Sequence, residues 1–97
     1  MGASLIVASE KNAYTLTDRG TFLATRQNLE LVILFEGAPP LLNPYHVITV
    51  NPELHPNINY EGAMAFYNFI ISPEVQKVIE TFGMDKYGQP LFFPDAE

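Results

Sequence analysis

The seven residues Leu29 to Phe35 (LELVILF) hold six apolar side chains and one charge. A strand with one wet face alternates apolar and polar residues. A near-continuous apolar run instead reads as a strand covered on both faces, as in an α/β sheet lying between helices. The segment therefore predicts an α/β fold with an open sheet flanked by helices. Glu36-Gly37-Ala38-Pro39-Pro40 ends the run, and prolines at 39, 40 and 44 leave 39–44 a poor place for regular structure. Tyr45 to Val50 (YHVITV) predicts a second buried strand, closed by Asn51-Pro52. Ala13 to Thr17 (AYTLT) predicts a third, shorter one from its β-favouring residues.

Helices are expected around these strands. Met1 to Lys11 reads as a short amphipathic helix with Leu5 and Ala8 inward and Ile6 and Ala13 less well placed. Asp18 has the character of an N-cap, followed by enough chain for a short helix ending near Gln27. From Tyr60 to Ile71, Ala63, Phe66, Tyr67, Ile70 and Ile71 recur at three- and four-residue spacing and predict a helix. Ser72-Pro73-Glu74 restarts a second helix: serine caps, proline suits the first helical position, and glutamate suits the positive end. Val75, Val78, Ile79 and Phe82 form its stripe, and Gly83 stands where a left-handed residue usually ends a helix. The tail from Gly88 to Pro94 is apolar and proline-bounded, so an extended segment packed on the core is expected. Asn51 to Asn59 is the most linker-like stretch. Ninety-seven residues otherwise suit one α/β unit over 1–97.

Composition narrows the chemistry. Eleven acidic against five basic residues give a charge of -6, which repels phosphate backbones and argues against a nucleic-acid partner. With no cysteine there is no disulfide, thiolate zinc site or cysteine nucleophile. His46 sits in an apolar run and His55 beside a proline, and neither has the serine context of a hydrolase triad. There is no HExxH, no Asp-rich calcium loop and no phosphate-cradling glycine motif, so no catalytic residue, metal or cofactor is expected. No stretch reaches the roughly 18 apolar residues of a membrane span, and the N-terminus lacks a secretory pattern, so a soluble chain without its own signal sequence is expected. The segment richest in hydrogen-bond donors is Tyr14-Thr15-Leu16-Thr17-Asp18-Arg19-Gly20-Thr21, with four hydroxyls and a guanidinium at a strand-to-helix junction. Such junctions bind anions in open α/β sheets. The competing structural reading makes Asp18 a cap, Arg19 the partner of a carboxylate such as Glu10 or Glu36, and the threonines β-formers.

The run ASEKNAYTLTDRGT from Ala8 to Thr21 resembles a signature of the tungstate-binding proteins of bacterial tungstate ABC transporters. The likeness continues through Leu34 to Gly37, Asn43 to Pro52, the 63–76 helices and GQPLFFPDA from Gly88 to Ala96. It covers essentially the whole chain and matches that family's C-terminal half. That family is similar to type II periplasmic binding proteins, in which two α/β lobes close on an oxyanion held in their cleft. The resemblance implies an extracytoplasmic substrate-binding component capturing tungstate or molybdate and presenting it to an ABC transporter permease. About 1–50 would then belong to the second lobe and about 59–97 would return to the first. Tyr14, Thr15, Thr17 and Arg19 are its implied ligand-binding residues, with Thr15 and Arg19 foremost, while Asp18 orients Arg19. His46 stands where the family often has glycine. The family's N-terminal Thr/Ser-rich motif and its arginine-glycine-aspartate segment do not occur among the 97 residues, so one wall of the cleft at most is expected, with weak or undetectable binding by this chain alone. A competing class is the effector domain of a transcriptional regulator. A third expectation is self-association, with elements exchanged between copies.

Overall fold

A computed structural model of the chain describes residues 1–96. Its elements are α1 (Gly2–Lys11), α2 (Arg19–Thr25), α3 (Tyr60–Ile71), α4 (Pro73–Thr81) and α5 (Met84–Tyr87), with 3-10 turns at Arg26–Asn28 and Pro39–Leu41. The chain forms two compact units. The first joins Met1–Asn43 to Gly83–Leu91, and the second joins Pro44–Phe82 to residues 92–96.

In the first unit, α1 buries Leu5 and Ala8, the two residues its periodicity places inward. Asn12 ends α1 in a left-handed conformation (φ 51°) that asparagine tolerates, returning its N–H to Ala8 and Ser9 carbonyls. Asp18 caps α2 as its sequence predicts, and α2 buries Phe22 and Leu23. Leu5, Phe22 and Leu23 form the core, against which Leu29, Leu31 and Leu91 pack. Leu91 reaches it because Gly83 (φ 89°) and Gly88 (φ 78°) turn the chain at either end of α5, a helix the sequence reading did not include.

In the second unit, Asn59 Oδ1 accepts the Gly62 N–H at 2.9 Å and starts α3. Ser72 ends α3 and starts α4: its Oγ donates to the Phe69 carbonyl at 2.7 Å and accepts the Val75 N–H at 3.3 Å. Gln76 ties three segments, donating to the Ile70 carbonyl at 2.8 Å and accepting the Ala96 N–H at 3.2 Å. Phe92 meets Tyr45 edge-on and stacks near Phe82, at centroid distances of 6.1 and 6.4 Å. The expected packing of the tail on the core is met at Leu91 in the first unit, while Phe92 and Phe93 are 38% and 70% exposed. No described residue of the second unit is fully buried, and the helix stripes cover each other only in part: Ala63, Tyr67, Ile70, Val75 and Ile79 are half-buried, while Phe66, Val78 and Phe82 are exposed.

The expected sheet is where structure and sequence part. Ala13–Thr17, Leu29–Phe35 and Tyr45–Val50 form no strand among the described residues. A strand is made by N–H···O=C bonds to a neighbour, whereas an apolar run reports only that its side chains would be buried. Apolarity of LELVILF therefore predicts cover, and the described residues do not supply a paired neighbour to it. Only the start of the segment is covered, and Val32 to Phe35 are all exposed. Leu29 and Leu31 turn to the core, and Val32 and Leu34 stand 75% and 71% exposed.

Candidate functional site

The donor-rich segment Tyr14–Thr21 lies wholly in the first unit, between α1 and the first turn of α2. Tyr14 is 87% exposed, and with Thr15 it borders a shallow open groove of about 400 Å³ whose other wall is the small-residue side of α1, including Ala3, Ser4, Val7 and Ala8. Thr17 and Arg19 do not line that groove. The four expected ligand residues are therefore neighbours in one segment, of which Tyr14 and Thr15 line this groove. The Thr15 hydroxyl makes a long 3.4 Å bond to the Leu16 carbonyl, and that of Thr17 donates to the Asp18 carbonyl at 3.2 Å. Met1 Sδ accepts the Asp18 N–H at 3.3 Å.

Asp18 Oδ2 accepts the Thr21 N–H at 2.8 Å, so the amino end of α2 already holds a carboxylate. This bond favours the ionised form and lowers the Asp18 pKa, outweighing the opposing effect of partial burial. A folded-state value below the unfolded one stabilises the fold above the unfolded pKa, and that stability is lost as pH falls through the folded value. Asp18→Ala is expected to cost about 0.5–2 kcal/mol in urea unfolding at neutral pH. Asp18→Asn should keep most of the cap while flattening the acid limb of the stability profile. An unchanged limb in Asp18→Asn would contradict the assignment.

Arg19 is half-buried, and its Nη2 donates to Gln89 Oε1 at 2.7 Å across 70 residues of sequence. Arg26 Nη2 donates to the Tyr87 carbonyl at 3.1 Å, a second tie between the α2 region and the same return segment. The two longest recognisable runs, YTLTDRGT and GQPLFFPDA, thus meet at Arg19 and Gln89. Gln89 was not among the residues named from the sequence. Its only signal is membership of the second run, since nothing local pairs an amide with an arginine 70 positions away. His46 and His55 are both exposed. Among the described residues no group of His, Cys, Asp and Glu is placed to hold a metal ion, and no helix is long and apolar enough to cross a membrane.

Comparison with known proteins gives these features a context. The family model described as a PBP superfamily domain matches residues 1–74. A tungstate-binding protein TupA of Peptoclostridium acidaminophilum is 48% identical over 96 residues, covering 99% of this chain and 34% of that protein. A tungstate-binding protein TupA of Campylobacter jejuni is 38% identical over 101 residues, covering 100% of this chain and 37% of that protein. The chain spans about a third of the length of the curated relatives it matches. No solved structure matches it.

Proposed function

This chain belongs to the PBP superfamily, and on that premise we propose that it forms part of the oxyanion-binding component of an ABC transporter, with tungstate its ligand and molybdate the nearest competitor. The observation that carries the reading is 48% identity to a tungstate-binding protein across 99% of this chain. The meeting of Arg19 with Gln89 supports it, because the two runs that resemble the family build one local structure. In this reading the protein works outside the cytoplasm, and the two lobes close on the anion and present it to a permease. About 1–50 belong to the second lobe and about 59–97 to the first. The open sheet forms when Leu29–Phe35 and Tyr45–Val50 find their neighbours in the rest of the fold. Binding and release suffice, with no catalytic step. The relatives' names do not support the effector-domain alternative.

Tungstate has only acceptor oxygens, so its site must consist of donors. Tyr14, Thr15 and Thr17 offer hydroxyls, and Arg19 offers charge-assisted N–H groups in a position fixed by Gln89. The Asp18 carboxylate occupies the Thr21 N–H, so these side chains, and not the end of α2, are the proposed contacts.

The test is tungstate titration of a version extended with the remaining length of a tungstate-binding relative. Losing a hydrogen bond to a charged group costs about 1.5–3 kcal/mol, so Arg19→Ala is expected to weaken binding on the order of tenfold or more. Thr15→Val is expected to act in the same direction and less strongly. Undiminished affinity in both folded variants would remove this segment from the site.

A further inference from the structure

We propose that Gln89 is a positioning residue for oxyanion binding, and that its neutral amide, where a carboxylate would serve geometrically, holds Arg19 without cancelling the charge a dianion needs. The proposal rests on the reading that places Arg19 in the anion site. It starts from one contact within the first unit. Arg19 Nη2 donates to Gln89 Oε1 at 2.7 Å across 70 residues, the length of a charge-assisted bond. A guanidinium has donors and no acceptor, so only one orientation of the Gln89 amide makes this bond. The amide oxygen is engaged by Arg19, and the NH2 group is what Gln89 has left to offer. Both members of the pair can thus donate to an anion whose oxygens only accept.

Both partners are anchored before any ligand arrives. Arg19 is the first residue of α2, directly after the Asp18 cap. Gln89 lies between Gly88, whose φ of 78° ends α5, and Pro90, which restricts the backbone of the residue before it. Two residues on, Leu91 packs against the Leu5, Phe22 and Leu23 core. Gln89 and Arg19 are both half-buried. An arginine side chain has much rotamer freedom to lose, so one that is already held costs less to order on binding. The chemistry of the holder then decides the local charge. Asp18 already places one carboxylate beside Arg19 in the chain, balancing its charge. A glutamate at 89 would accept the same bond more strongly, but would leave the junction net negative and repel a dianion. The amide supplies the position without that charge.

Tungstate titration and urea unfolding of variants of the version extended to a relative's full length test this. Gln89→Glu keeps the acceptor, so its unfolding midpoint should not fall, while its tungstate affinity should drop on the order of tenfold or more. Gln89→Met removes the acceptor without adding a charge, and should weaken binding less than Gln89→Glu. In an Arg19→Ala background Gln89→Met should cost almost nothing further, because Gln89 acts through Arg19. Arg26→Ala breaks the 3.1 Å bond to the Tyr87 carbonyl in the same return segment and should leave affinity unchanged. Full affinity in Gln89→Glu, with Arg19→Ala weakened, overturns this proposal and leaves Arg19 in the site. A loss in Gln89→Glu that Arg26→Ala matches, or that comes with a lower unfolding midpoint, also overturns it, since loosening of the segment would then account for the loss. Undiminished binding in Arg19→Ala removes both the proposal and the reading beneath it.

Discussion

Leu23→Ala is expected to abolish cooperative folding of the first unit, or to leave it with little residual stability. Leu23 and Leu5 are each 1% exposed and are the two largest fully buried side chains among the described residues. Truncating a buried leucine costs about 2–5 kcal/mol through lost transfer energy and the cavity left behind. Small domains hold only about 5–15 kcal/mol in total, and a core of three buried residues sits at the low end. The cavity would open where Leu5, Phe22 and Leu91 converge, so the ties of α2 to α1 and to the return segment should weaken together. Urea unfolding followed by circular dichroism measures the effect, with exposed Phe66→Ala as control. Phe66 is half exposed on α3 in the other unit, and its truncation should cost far less. Equal costs for the two would mean that the core lies elsewhere.

The second large effect is expected at Gly83. Its φ of 89° is one that side-chain-bearing residues rarely adopt, and a Cβ there would lie 2.8 Å from Leu91 Cγ and 3.3 Å from Tyr87 Cδ2. The left-handed conformation costs about 1–2 kcal/mol for an L-residue, and overpacking adds about 1–3 kcal/mol. Gly83→Ala should therefore destabilise by about 2–5 kcal/mol, partly by pushing Leu91 off the core. Gly88 separates the two causes. Its φ is 78° but a Cβ would meet nothing within 4 Å, so Gly88→Ala should bear the conformational cost alone. Thermal unfolding of both variants checks this, and equal losses would show that the Leu91 contact contributes nothing.

The helices were legible because their signals are local. Leu5 and Ala8 share a face by spacing, Asp18 and Ser72 cap the helices they precede, and Gly83 has the left-handed conformation its position suggested. The four-residue α5 was not, since Met84–Tyr87 is too short for periodicity and is set by the glycines on either side. The expected strands are not formed among the described residues because LELVILF and YHVITV encode burial, while a strand also needs a neighbour, and no local pattern reveals whether one is present. In the candidate site, the hydroxyls and Arg19 could be named from one stretch. Gln89 could not, because its role comes from a contact spanning 70 residues. The cap reading of Asp18 and the anion reading of the same junction compete for one N–H, and Asp18 holds it.

The central claim is that this chain supplies part of an oxyanion site that the rest of a longer binding protein completes. Isothermal titration of tungstate, molybdate and sulfate tests it most directly, run on this chain alone and on the version extended to a relative's full length. The expected result is weak or undetectable heat with the chain alone, and tight binding with tungstate preferred in the extended protein. Binding by neither, or binding of sulfate as tight as tungstate in the extended protein, would contradict it.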